Sequence, residues 1–150
     1  MWNPDGDVKA YIRDFLKGYY GDAAGPIGEY IDMIQNHVEE KDIHVSIYDA
    51  PDRKIFPEEL LLKGEELFDR AEKLVEGDKK LTNRVQRSGL QIRHIRLERT
   101  SVNDPLKPEM AASFIEDVYR FKLTRLREWI PLEDSLNTLK TIAAKVQKEE

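Results

Sequence analysis

Residues Trp2 to Gly21 read WNPDGDVKAYIRDFLKGYYG, with apolar side chains at Val8, Tyr11, Ile12, Phe15, Leu16, Tyr19 and Tyr20. The steps are three and four throughout, which draws one continuous stripe along an α-helix. Asn3, Asp5 and Asp7 stand just upstream, where short acceptors and negative charge satisfy the free N–H groups of a first turn. Gly21 stands where a left-handed residue ends the helix. A helix with so many rings along one face has to lay that face against something. Tyr11 and Phe15, in the middle of the stripe, are expected in the core. Trp2 and the Tyr19–Tyr20 pair flank its ends, where large amphipathic rings serve contacts between domains.

The remaining chain repeats the same grammar. After a short break at Asp22 to Gly25, Pro26 suits the start of a second helix buried through Ile27, Tyr30, Ile31, Ile34 and Val38 and ending near Lys41. The brevity of the break predicts an antiparallel hairpin with the first helix. Residues 42–56 break the period: Ile43, Val45 and Ile47 alternate with polar neighbours, and Pro51 punctuates a turn. One strand has no partner elsewhere in the sequence, so an ordered loop is expected there.

Pro57-Glu58-Glu59 starts a third helix, with Leu60, Leu61, Gly64, Leu67, Phe68, Ala71, Leu74 and Val75 on its inner side. Gly77 ends it and Asp78 caps a fourth, about Lys79 to Thr100, whose stripe is Leu81, Val85, Ser88, Ile92 and Ile95. The small pair Ser88–Gly89 predicts a close helix approach or a bend at its middle. Pro108 opens a fifth helix with Ala111, Phe114, Ile115, Val118, Tyr119 and Leu126 inward. Beyond Pro131 a sixth buries Leu132, Leu136, Leu139, Ala143 and Val146. The expectation is all-α: about six helices in an antiparallel bundle-like single domain over residues 1–150, with one irregular loop at 42–56.

The 150 residues suffice for a core without disulfide or metal staples. The charged fraction of 35% matches long amphipathic helices, each exposing a polar face. A net charge of −5 argues against nucleic acid, whose phosphates call for clustered positive charge. Without cysteine there is no disulfide framework or thiolate metal site. No run approaches the roughly 20 apolar residues of a membrane span.

Catalytic patterns are missing as well. His37, His44 and His94 lack a second ligand at metal spacing, and His37 reads as a solvated residue on a polar edge. The acidic pairs Glu39–Glu40, Glu58–Glu59, Glu65–Glu66 and Glu149–Glu150 place neighbours about 100° apart on a helix, unsuited to gripping one substrate atom. They read as solubilising charge. Arg84, Arg87, Arg93, Arg96 and Arg99 scatter around the fourth helix and predict ion pairs with acids of helices three, five and six. No phosphate-cradling glycine loop and no activated Ser or Cys nucleophile is present, so no cofactor is expected.

The phrase WNPDGDVKAYIRDFLKGYYGDAAGPIGEYIDMI resembles the start of the C-terminal helical region in an uncharacterised family of bacterial proteins. That family is similar to glycoside hydrolases, with parallels to α-glucuronidases and β-hexosaminidases. The likeness is carried by Trp2, Asn3–Pro4, Asp5 to Asp7, Phe15–Leu16, Gly18 to Gly21 and Ala23, and later by PEELLLKGEELFDRAEKLV. It is good over about the first 40 residues, fair to about residue 100 and weak beyond.

The resemblance implies a (β/α) barrel upstream that carries the catalytic carboxylates, a secreted or periplasmic parent, and Met1 as a boundary or replaced residue. It transfers no catalytic residue to this chain. The chain is then expected to be a non-catalytic accessory domain of a carbohydrate-active protein. It would meet the barrel through Trp2, Tyr19 and Tyr20, or serve a dimer contact. A loop from His44 to Arg53, with Tyr48 and Asp49, would be lent to the substrate cleft. The rival is a stand-alone helical module that binds a partner protein through an exposed apolar groove.

Overall fold

The computed structural model describes residues 6–44 and 53–144. Among them lie α1 (Val8–Tyr20), a 3-10 turn (Gly21–Ala23), α2 (Ala24–Glu40), α3 (Glu58–Leu74), α4 (Lys79–Arg99), α5 (Lys107–Arg120) and α6 (Leu132–Ala143). The fold is all-α, and the described residues contain no strand. Most of the stretch read as briefly extended, from Val45 to Tyr48, lies outside the described residues. The chain divides into two compact units, Met1–Gly89 and Leu90–Glu150, with the boundary inside α4.

In the first unit the helix ends fall where capping chemistry puts them. The Asp7 carboxylate accepts the Ala10 N–H at 3.1 Å and caps α1. Asp78 accepts from the Lys80 and Leu81 N–H groups at 2.8 and 3.0 Å and starts α4. Gly21 takes φ +58° and ψ −126° at the end of α1, a positive-φ conformation that glycine reaches without the strain a side chain would bring, though not the left-handed helical one. The core gathers Ile27 and Tyr30 of α2, Leu61, Leu67, Phe68 and Ala71 of α3, then Val75 and Val85, all buried. Tyr30 meets Phe68 edge to face at 5.1 Å, and burial pushes its hydroxyl pKa up to about 12. A Cβ at Gly89 would stand 3.2 Å from the Phe68 ring. The small residue in the middle of α4 thus serves close approach to α3.

The second unit is built on Leu90 and Leu97 of α4, Ala111, Phe114 and Val118 of α5, and Leu136 and Leu139 of α6. The α4 stripe needs correction here, because one stripe does not describe that helix. Val85, Gly89 and Ile92 are buried along one side, and Leu90 and Leu97 along another roughly 100° or more away. Buried Lys107 donates from Nζ to the Thr100 carbonyl at 2.5 Å, placing a cation at the negative end of α4. Asp117 of α5 is shared by two guanidiniums: Arg93, which also donates to Ser113 Oγ at 3.0 Å, and Arg120 at 2.7 Å. The expected pairing of a helix-four arginine with an acid of helix five is met at Arg93.

Ile31 of α2, Leu74 of α3 and Tyr119 of α5, each read as inward, are exposed, the last with its hydroxyl donating to the Glu133 carboxylate at 2.9 Å. The fifth helix does not reach Leu126. It stops at Arg120, because Lys122 turns left-handed (φ +53°) while the Lys122 and Leu123 N–H groups bond back to the Tyr119 and Val118 carbonyls, both at 3.0 Å. This is a Schellman ending with lysine in the place that glycine usually marks, so no residue type at the turn signals the stop.

Candidate functional site

The face that asks for an explanation is α1. Of its apolar stripe only Leu16 is buried, at 5% exposure. Val8 is 65% exposed, Tyr11 56%, Ile12 43% and Phe15 60%. The expectation that Tyr11 and Phe15 are core residues is therefore overturned. Periodicity showed that one side of the helix is apolar, and the fold left that side open.

The four side chains expose on the order of 500 Å² together, comparable with the largest apolar patch of an ordinary monomer, which is often functional. Covering them would gain about 10 kcal/mol gross at the usual area coefficient, before the costs of association.

The end of α1 is held differently. Tyr19 and Tyr20 are half-buried and tied to α4. The Arg84 guanidinium lies 4.2 Å from the centre of the Tyr19 ring and donates from Nη1 to the Tyr19 carbonyl at 2.6 Å. The Tyr20 hydroxyl shares a 2.7 Å hydrogen bond with Ser88 Oγ. Leu81 lies so close to Gly21 that a Cβ there would meet its Cδ1 at 2.7 Å. Tyr19 stacks on Phe15 with centroids 5.5 Å apart and planes 14° apart, and meets Tyr20 edge-on at 4.8 Å. The rings expected at a domain contact are thus partly engaged within the unit, and those expected in the core face outward. Arg84 was read as an ion-pair partner and is instead a clamp on a ring and a carbonyl. The available signal was its place with Leu81 and Ser88 at i, i+3 and i+7 on one face of α4.

Trp2, Tyr48 and Asp49 lie outside the described residues. His44 and Arg53, at the two ends of the stretch that includes Tyr48 and Asp49, are exposed, and His44 Nε2 stands 3.6 Å from Asp42. No described contact joins His44 to Arg53. His37, read as solvated, is half-buried, and its Nε2 has no hydrogen-bond partner among the described residues. Among the acidic pairs, Glu39 accepts from Gln35 at 3.0 Å and Glu66 pairs with Lys63 at 2.8 Å, which holds the Glu66 carboxyl below its usual range.

His94 stacks on Phe114 at 5.4 Å, and burial lowers its pKa against the opposing pull of Glu98. Among the described residues no three His, Asp or Glu side chains gather as a metal site would require, and no helix is long and apolar enough to cross a membrane. No protein-family model, curated protein or solved structure matches the chain.

Proposed function

We propose that this chain is an accessory helical domain of a glycoside-hydrolase-like bacterial protein, seated against an upstream barrel through the apolar face of α1. The observation that carries the reading is the open stripe Val8–Tyr11–Ile12–Phe15, joined to the likeness of Trp2–Ile34 to the helical region that follows such barrels. The catalytic carboxylates belong to the barrel in this reading. The chain buttresses it, and the His44–Arg53 segment is the part offered to the substrate cleft.

The test is to read the coding sequence upstream of Trp2 and express the longer polypeptide beside the present chain. Hydroxyl-radical footprinting then compares the oxidation of Tyr11 and Phe15 in the two. Strong protection in the longer form supports docking, and equal reactivity refutes it. Hydrolysis of an aryl glycoside by the present chain alone would refute the accessory role.

The second reading, a stand-alone module that binds a partner protein, draws on the same open stripe. It predicts an upstream reading frame with no barrel in it.

A further inference from the structure

We infer that Arg84 is a positioning residue for the outward face of α1, holding Tyr19 so that Tyr19 in turn supports the exposed ring of Phe15. This rests on the reading of α1 as a docking helix and assigns the group that sets its geometry. Two contacts meet on the Tyr19 ring: the Arg84 guanidinium 4.2 Å from its centre, and the Phe15 ring with centroids 5.5 Å apart and planes nearly parallel. The same guanidinium donates to the Tyr19 carbonyl at 2.6 Å, so one planar cation fixes both backbone and ring of that residue. Tyr20 on Ser88 and Gly21 against Leu81 fix the adjoining residues from the same side of α4.

Upstream of this grip, α1 buries only Leu16, and its exposed residues have little packing of their own to orient them. Phe15 is 60% exposed yet stacked, so its orientation is inherited from Tyr19. A ring fixed before its partner arrives loses less freedom on docking. Lysine would keep the charge at position 84 but not the plane that both stacks and donates.

The experiment compares wild type, Arg84→Ala and Arg84→Lys by hydrogen exchange and by the NMR signals of the Phe15 ring. In Arg84→Ala, the amides of Ile12 to Tyr19 are expected to exchange about tenfold faster while those of Tyr30 and Leu67 hold, and the Phe15 ring signals shift. Arg84→Lys falls between. An unchanged Phe15 ring, or α1 and α3 loosening together, overturns the assignment, since the latter is simple loss of stability.

In the longer polypeptide, Tyr11 footprinting separates this inference from the docking reading. Exposure of Tyr11 by both Phe15→Ala and Arg84→Ala supports both. Exposure by Phe15→Ala with Arg84→Ala silent overturns the positioning role alone. Silence of both variants, with Tyr11 protected in the wild type, overturns the positioning role and leaves docking standing, whereas Tyr11 unprotected in the wild type overturns docking.

Discussion

His94 shows how one side chain's surroundings set the pH response of the second unit. It stacks on Phe114 with its side chain 25% exposed, and burial disfavours its cation more than Glu98 favours it. Its folded pKa therefore lies below the unfolded value near 6.5. Where the folded pKa is the lower one, the unfolded chain binds the proton more readily. The stabilisation is present above the unfolded pKa and is lost as pH falls through the folded one. Denaturant midpoints measured from pH 7.5 down to 5 should fall for the wild type and fall less for His94→Gln. Identical slopes would show that the imidazole is no more hindered from protonating when folded than when unfolded.

At the scale of single elements, the helix starts were legible because the chemistry of a start is local. Asp7 and Asp78 bond to N–H groups two or three residues ahead, and Pro57 and Pro131 precede helices with acids in the first turn. The end of α1 was read from Gly21 and that of α2 was placed near Lys41, while the end of α5 was missed because lysine takes the left-handed place there. Lys122 (φ +53°) closes α5 and Asp42 (φ +48°) closes α2, each followed by the Schellman bond, Leu123 to Val118 and Ile43 to Val38, both 3.0 Å. Lysine pays a conformational penalty there that glycine does not. Lys122→Gly should stabilise the protein by about 0.5–1 kcal/mol in chemical denaturation, and a loss would mean the Lys122 side chain contributes more than its backbone costs.

For the molecule as a whole, neighbouring residues of one stripe are expected to part company. Leu16→Ala should cost about 2–5 kcal/mol in a denaturation midpoint, since it empties a buried position. Tyr11→Lys, at a site 56% exposed, should change stability by no more than about 0.5 kcal/mol. If Tyr11→Lys cost as much as Leu16→Ala, the stripe would be core and the docking reading would lose its foundation.

The sequence alone determined that the chain is all-helical, where most helices begin, and which side of each is apolar, because capping and 3.6-residue periodicity act within a few residues of chain. Only the tertiary structure decided which apolar sides are covered. Tyr11, Phe15, Leu74 and Tyr119 share a helical period with buried neighbours and still face outward, and α4 buries two sides where a single stripe was read. It also decided that Arg84 meets a tyrosine ring and carbonyl 65 residues away rather than an acid. A periodic pattern records that a surface resists water; what meets that surface depends on segments distant in sequence, whose approach local spacing does not encode.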